Sequence, residues 1–343
     1  MSTEFLVQLL QFVAGIAILI VVHELGHFTA ARLLKVDVEE FGLGFPPRLA
    51  TLFHAGGTRF SLNWIPLGGF VRIKGENDPD VPGGMAAANP WVRLAILIAG
   101  PFMNIALGVI LAVVFFYSLG EPVLDRVQIQ GIADGSPAQL AGLEVGDIIL
   151  KATGEEISSV DQLHNVIYAN LGESTVITYQ RENEIGEVTL VPRDPPPEEG
   201  AIGILMGYPT QPTTWARAIP NGISFTYQYS QNVLTLPVRF AQGEANPEQE
   251  RPVGFKGMFD VFQWIQSPLY FFMAISLSLG LFNLLPIPAL DGGRILFTLP
   301  EIILRRRVPP QYENMIHFVG FTMLIILLIY INLQDFINPI QLP

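Results

Sequence analysis

The chain has 343 residues, of which 50% are hydrophobic and only 15% are charged, and its formal net charge is −12. Its mean hydropathy of +0.40 is too high for a soluble protein of this length, whereas the charged residues in its middle exclude a simple bundle of membrane helices. The absence of cysteine excludes disulfides and thiolate metal ligands. The composition therefore predicts a membrane protein that carries a domain outside the bilayer.

The first predicted element is an apolar segment, Phe5–Leu34, whose charged residues are Glu24 and Arg32. It exceeds the roughly 20 residues needed to cross the hydrocarbon core of a bilayer. Because the N-terminus has no basic region and the segment has no small-residue cleavage site, we predict a retained span rather than a signal peptide.

This span contains His23-Glu24-Leu-Gly-His27. On a helix the two histidines project from one face, about one turn apart, with Glu24 beside them. Zinc hydrolases use such a pair as metal ligands and such a glutamate as the base that takes a proton from the attacking water. A short motif also occurs by chance, but ionisable groups at membrane depth are costly and usually functional. The motif predicts a zinc site whose third ligand comes from elsewhere.

Four segments are predicted to span the membrane: Phe5–Leu34, Val92–Leu119, Leu269–Leu285 and Met315–Leu333. Of the 19 basic residues, 11 lie in the stretch from Arg32, near the end of the first segment, to Arg93, at the start of the second, or after the third, which places both regions in the cytoplasm. Residues 120–266 carry 8 basic and 19 acidic residues. We predict that this region and both termini are extracytoplasmic, so that His23, ~27 Å into its span, lies near the cytoplasmic side.

Residues 58–74 contain two short β-leaning runs around Pro66-Leu-Gly-Gly69, and they predict a β-hairpin on the cytoplasmic side. A zinc hydrolase at this depth would need an extended substrate, because peptide bonds within a helix are shielded. A hypothesis follows that an exposed strand edge holds the extended substrate by strand addition. The alternative is an ordinary amphipathic hairpin on the headgroups.

Short alternating runs from about Val123 to Pro192 predict an α/β domain, and residues 134–150 resemble part of a PDZ domain. Ser159–Ala169 is predicted to be a helix, with Leu163, Val166 and Ile167 facing the core. Strands are predicted at residues 174–180 and 187–191. Residues 195–200 are predicted to form a stiff linker. Trp215–Phe240 is predicted to be an amphipathic helix at the outer membrane–water interface.

Asp291 follows the third apolar segment, after a break at Pro286 and Pro288. Broken backbone at membrane depth is tolerated only where protein or a water-filled cavity satisfies its polar groups. The segment runs ~25 Å inward before this break, so Asp291 reaches the depth of the histidine pair. Asp291 is therefore the candidate third ligand, and a helix cap is the alternative.

Three motifs occur in order: His23-Glu-Leu-Gly-His27, Gly100-Pro-Phe-Met-Asn104 and Asn283-Leu-Leu-Pro-Ile-Pro-Ala-Leu-Asp291-Gly-Gly. Together they resemble the site-2 protease family of intramembrane zinc metalloproteases, and in particular the bacterial type with an extracytoplasmic PDZ insert that cleaves anti-sigma factors in regulated intramembrane proteolysis. The resemblance implies Zn²⁺ as cofactor, with these roles: His23, His27 and Asp291 as ligands, Glu24 as catalytic base, and Asn104 and Asn283 at the substrate site. Some members have histidine where this chain has Arg294, so no ligand is expected there.

The resemblance also implies a polytopic α-helical protein of the bacterial inner membrane, in contact with the lipid bilayer. Its substrates would be single-span membrane proteins, such as anti-sigma factors or signal-peptide remnants, after a first cut by a site-1 protease. No nucleic-acid-binding pattern is present. We predict four regions: a membrane core at 1–119, a PDZ-like domain at 120–194, a linker with the amphipathic helix at 195–266, and a second membrane core at 267–343.

Two other functional classes remain as alternatives. One is a non-catalytic zinc-dependent receptor or scaffold that binds partners through the PDZ-like domain, against which the presence of Glu24 argues. The other is a zinc transporter, which would need polar ligands in the outer half of the spans, where the sequence offers none.

Overall fold

The computed structural model describes residues 3–244, 251–265 and 267–340. Gln266 and residues 341–343, at which two predicted regions end, lie outside this part of the chain. The chain divides into two compact units, one of Met1–Phe115 with Ala218–Pro343 and the other of Phe116–Arg217.

The helices are α1 (Thr3–Leu33), α2 (Pro90–Leu119), α3 (Pro137–Leu140), α4 (Val160–Ala169), α5 (Trp215–Gln242), α6 (Phe255–Trp264), α7 (Pro268–Leu284), α8 (Asp291–Leu304) and α9 (Pro310–Ile337). The strands are β1 (Val38–Ala55), β2 (Thr58–Ile73), β3 (Glu121–Pro122), β4 (Val127–Ile132), β5 (Ile148–Ala152), β6 (Glu155–Glu156), β7 (Thr175–Arg181), β8 (Glu184–Leu190), β9 (Ile204–Gly207) and β10 (Thr210–Gln211).

Among the described residues, α1, α2 and α9 are each long and apolar enough to cross a membrane. The apolar helix α7 has only 17 residues, or about 25 Å, which is short of a ~30 Å core. The structure therefore supports a membrane protein with three such helices, and the status of the shorter α7 as a fourth span stays a prediction.

The membrane helices pack closely where glycine removes a side chain. A Cβ at Gly108 of α2 would lie 2.4 Å from the Leu277 side chain of α7, and one at Gly280 of α7 would lie 2.8 Å from the Pro101 carbonyl of α2. Small residues at such crossings let membrane helices approach until their backbones are in contact. These contacts bring α7, and with it the segment that precedes Asp291, against α2.

The sheet of the first unit is formed by β1 and β2, and its turn is not the predicted one. The connection is at Gly56-Gly57, where both residues have positive φ, while Pro66–Gly69 lies within β2. A tight two-residue hairpin turn commonly needs positive φ at both central positions, which glycine adopts freely. Both strands are also longer than predicted, and residues 38–43 of β1 pair antiparallel with residues 69–73 of β2.

Glu40 of β1 lies at the centre of this sheet and is only 2% exposed. Arg48 binds both of its carboxylate oxygens, with Nε and Nη2 at 2.9 and 2.8 Å, and Ser61 Oγ donates to Oε1 at 2.8 Å. Burial alone would raise the pKa of Glu40. The hydrogen bonds from Ser61 and Arg48 and the nearby positive charges of Arg48 and Arg72 outweigh it, so the pKa is lowered.

We expect Glu40→Gln to reduce the free energy of unfolding by about 2 kcal/mol at pH 7, because the ion pair with Arg48 is lost and an NH₂ donor replaces one of the two oxygens that accept hydrogen bonds. A pKa lower in the folded than in the unfolded state stabilises above the unfolded value, about 4.3, and this stabilisation is lost as the pH falls through the folded value. Thermal unfolding of parent and variant should therefore differ most at pH 7 and converge in acid. The exposed neighbour Glu39 provides the control, Glu39→Gln. A difference that persists in acid would contradict this assignment.

The second unit contains a sheet in the order β8-β7-β5-β4-β9, with β6 paired to β5. The predicted helix and its core face are confirmed, because Ser159 caps α4 and Leu163, Val166 and Ile167 are buried. The predicted strands correspond to β7 and β8. The predicted boundary at residue 194 is too early, since β9 pairs with β4 in the same sheet and residues 195–200 therefore connect two parts of one domain.

Helix α5 forms as one continuous helix despite its two internal prolines. It packs along α7, because Phe225 contacts Tyr270 while Tyr229 donates to the Ala274 carbonyl at 3.2 Å and lies 2.8 Å from Ser278 Oγ. The predicted amphipathic helix is thus present. Its placement at the outer interface stays a prediction.

Candidate metal centre

The two histidines of α1 lie on one face of the helix, as their spacing predicts. Each is 8% exposed, and their Nε2 atoms are 3.2 Å apart. Two buried imidazole nitrogens at this separation have no favourable interaction with each other when both are unprotonated. A metal ion bound by both nitrogens would account for their close approach.

Asp291, the first residue of α8, lies beside the histidines because α7 ends before it and an irregular segment follows. Helix α7 ends at Leu284, and residues 285–290 form an irregular segment that contains both prolines. Ala289, with φ of +75°, donates its backbone N–H to Nδ1 of His317 on α9 at 2.9 Å. No sequence motif assigned His317 a role in the site, yet its ring accepts a hydrogen bond from the segment that precedes Asp291.

The donor atoms of His23, His27 and Asp291 fit a zinc ion. Oδ2 of Asp291 lies 3.1 Å from Nε2 of His23 and 3.4 Å from Nε2 of His27. Tetrahedral zinc with bonds of 2.0–2.1 Å separates its ligand atoms by about 3.3 Å. The same Oδ2 atom is buried and has no hydrogen-bond partner among the described residues. Two imidazoles and one carboxylate, with a fourth position for water, form the ligand set of a catalytic zinc site.

Helix α2 lies directly against both histidines. Nδ1 of His27 is 2.8 Å from the Ile96 carbonyl, and Nδ1 of His23 is 3.2 Å from the Asn104 side chain. The close approach depends on glycine: a Cβ at Gly100 would lie 2.2 Å from the His27 ring, and one at Gly26 would lie 2.3 Å from the Ala99 carbonyl. Gly100 therefore provides the space in which the His27 ring lies.

His23, His27 and Asp291 line a cavity of about 270 Å³ that is also lined by Glu24. Asn283 of α7 lines it, with its amide nitrogen held by the Leu279 carbonyl at 2.8 Å. Phe70, Val71 and Ile73 of β2 line it as well. The cavity thus joins the proposed metal site, a carboxylate, a carboxamide and a strand.

Asn104 does not lie where the sequence predicts. It is 0% exposed and stands behind His23, whereas the residues that line the cavity include Asn283. Its predicted contact with substrate is therefore corrected, since a side chain enclosed between α1 and α2 cannot reach a substrate in the cavity. A spacing pattern cannot distinguish the two sides of an imidazole ring, which is why the resemblance placed Asn104 at the substrate site.

An ion pair between Glu76 and Arg294 lies at the wall of the same cavity. Arg294 follows Asp291 by one helical turn on α8, and Glu76 follows β2. No metal ligand is expected at Arg294, and its pairing with Glu76 is a role that its position in the sequence did not indicate.

Comparison with known proteins identifies the family. Residues 11–327 match peptidase family M50. The chain belongs to peptidase family M50. A protein of Clostridium perfringens is 34% identical over 94% of this chain and 96% of its own length, and one of Campylobacter jejuni is 31% identical over 97% and 93%; both are named "Putative zinc metalloprotease". The "Zinc metalloprotease RasP" of Geobacillus kaustophilus is 24% identical over 97% of this chain and 98% of its own length.

The predicted membership of the site-2 protease family, the protease activity and the zinc cofactor are therefore confirmed for this M50 chain. Two solved PDZ domains of SdrC-like proteins also match, from Listeria monocytogenes with 21% identity over 25% of this chain and from Listeria innocua with 25% over 26%, each with a TM-score of 0.22.

Proposed function

We propose that this M50 metalloprotease hydrolyses a peptide bond in or near the transmembrane helix of single-span membrane proteins, with His23, His27 and Asp291 as the zinc ligands. The observation that carries the proposal is that Nε2 of His23, Nε2 of His27 and Oδ2 of Asp291 lie 3.1–3.4 Å from one another. Glu24 lines the same cavity. When bound, zinc polarises the scissile carbonyl and acidifies a water molecule.

The other steps belong to the side chains around the metal. Glu24 accepts the proton of the attacking water and returns it to the leaving amine. Asn283 has a carboxamide oxygen that can accept a hydrogen bond from the substrate backbone in the cavity. Residues 69–73 of β2 offer an extended segment along the same cavity, which supports binding of an unwound substrate by strand addition.

We further propose the topology that the charge pattern predicts. Helix α7 serves as a fourth span, the metal site opens to the cytoplasm, and both termini and the region 120–194, extended by β9, lie outside the inner membrane. Support comes from the concentration of basic residues in the predicted cytoplasmic regions. The order of strands and helices in the second unit supports a PDZ-like domain, and an upstream site-1 protease would supply the shortened substrate.

The rival proposal is a zinc-dependent receptor that does not cleave its ligand. A groove between α4 and β9, lined by His164, Tyr168 and Met206, gives that proposal a binding surface. Glu24 in the metal cavity favours the protease, because binding alone does not need a base next to the metal.

Metal removal provides the test. We expect the purified zinc-loaded protein in detergent to cleave a tagged single-span substrate, to lose this activity completely with a zinc chelator, and to regain it with added zinc. His23→Ala should lose both zinc and cleavage, since it removes one of three ligands. Zinc bound at one equivalent without cleavage across several substrates would favour the receptor.

A further inference from the structure

We infer that Asn104 is a positioning residue for the metal centre: its side-chain oxygen accepts the Nδ1–H of His23 and so leaves Nε2 of His23 free to bind zinc. This inference rests on the proposed function and deepens it. It replaces the predicted contact of Asn104 with substrate.

The first observation is an unsatisfied oxygen. Asn104 is 0% exposed, and its Nδ2 lies 3.2 Å from Nδ1 of His23, while its Oδ1 is buried and has no hydrogen-bond partner within the part of the chain that the structure describes. A buried carboxamide oxygen without a partner is unfavourable. A half-turn of the carboxamide exchanges its oxygen and nitrogen with almost no change of outline. That rotation places Oδ1 against Nδ1 of His23.

The second observation is the chemistry of the imidazole ring. A neutral imidazole carries one N–H, and the nitrogen that binds a metal is the other one. If Nε2 of His23 binds zinc, its Nδ1 is a donor and needs an acceptor. An amide NH₂ facing that N–H would place two hydrogen-bond donors against each other. The amide oxygen instead accepts a hydrogen bond from the N–H, so that both the oxygen and the N–H have a partner.

The neighbouring ligand already shows this arrangement. Nδ1 of His27 is 2.8 Å from the Ile96 carbonyl oxygen, which can only accept. Ile96, Gly100 and Asn104 are each four residues apart on α2 and therefore share one face of that helix. Along this face α2 gives one acceptor to each histidine, with the glycine between them leaving room for the His27 ring.

The third observation is that Asn104 is fixed in place by a neighbour outside the site. Ser276 Oγ on α7 donates to the Asn104 backbone carbonyl at 2.8 Å. This bond uses the main chain and leaves the carboxamide free to serve His23. It also provides a matched control, because Ser276→Ala removes a buried hydrogen bond to the same residue without changing its side chain.

The test compares Asn104→Asp with Asn104→Leu in the full chain. Aspartate has nearly the same shape and both of its oxygens accept, so Asn104→Asp should keep the zinc affinity within about 3-fold of the parent. Leucine has no acceptor, so Asn104→Leu should lower it 10–100-fold, the usual cost of losing such a partner. Zinc affinity is measured by competition with a chromophoric chelator, and the visible spectrum of the Co²⁺-loaded protein reports the ligand geometry. Ser276→Ala should match the parent in both.

The outcomes separate this inference from the function on which it rests. A loss in Asn104→Asp as large as in Asn104→Leu, or unchanged affinity in Asn104→Leu, would overturn the role of Asn104 as acceptor. A parent that binds no zinc, or a His23→Ala variant that binds it as tightly as the parent, would overturn the proposed ligand set itself.

Discussion

Glu24→Gln should reduce cleavage of a single-span substrate by about 10²–10⁴-fold while the protein keeps one zinc. Glutamine has nearly the size of glutamate but cannot accept the proton of the attacking water. Glu24 lies in the cavity that His23, His27 and Asp291 also line, and it is not one of the three converging donors. The expected result is therefore loss of turnover without loss of metal, measured as initial rate and as zinc content of the same preparation.

Glu76→Gln is the matched control, because Glu76 lines the same cavity but pairs with Arg294. It removes one negative charge from the cavity without removing the base, and we expect less than a tenfold loss of rate. Equal losses in the two variants would show that charge in the cavity, rather than proton transfer by Glu24, controls the rate. Loss of zinc in Glu24→Gln would instead place Glu24 among the ligands.

The inactive Glu24→Gln protein also tests the role of β2. With zinc loaded, it should hold uncleaved substrate, and a photo-crosslinker in place of Val71 should capture it, because this residue lines the cavity. A crosslinker at Leu52, in the half of β1 that pairs with residues 58–63, is the control. Equal capture at the two positions would contradict binding along residues 69–73.

The convergence of His23, His27 and Asp291 could be predicted because each of its parts has a local cause. The spacing of His23 and His27 places both on one helix face, and Pro286 and Pro288 follow directly after the end of α7 at Leu284. The depth of Asp291 then followed from the helix rise alone. The hairpin turn could not be predicted in the same way, since Gly56-Gly57 and Gly68-Gly69 both offer a glycine pair. Of the second pair only Gly68 has positive φ in the structure, and the first pair alone meets the requirement at both positions.

Contacts between distant segments account for the rest. Asn104 meets His23 across 81 residues, and no pattern within α2 tells which side of the ring it occupies. β9 is a run of four residues that pairs with β4 more than 70 residues earlier, and after a Pro-rich stretch it reads as part of a linker. Such placements are determined by packing of the whole unit, so local composition does not reveal them.

Gly100→Ala should lower zinc affinity and proteolysis together by at least tenfold. The added methyl group would lie 2.2 Å from Nε2 of His27, a distance that no pair of non-bonded atoms tolerates. The ring cannot simply rotate away, because Nδ1 of His27 is held by the Ile96 carbonyl at 2.8 Å. Either the hydrogen bond breaks or α1 and α2 separate, and both move Nε2 out of the triangle with His23 and Asp291.

Gly108→Ala on the same helix distinguishes displacement of the ligand from general disruption of packing. Its methyl group would meet the end of the Leu277 side chain at 2.4 Å, two turns of α2 away from Gly100. Leu277 is buried and does not contact the histidines, so this variant should lose thermal stability but keep zinc affinity within about 3-fold. If Gly108→Ala lost zinc as readily as Gly100→Ala, the metal site would depend on the packing of α2 as a whole. The expected contrast would show that Gly100 is needed to leave space for the His27 ring.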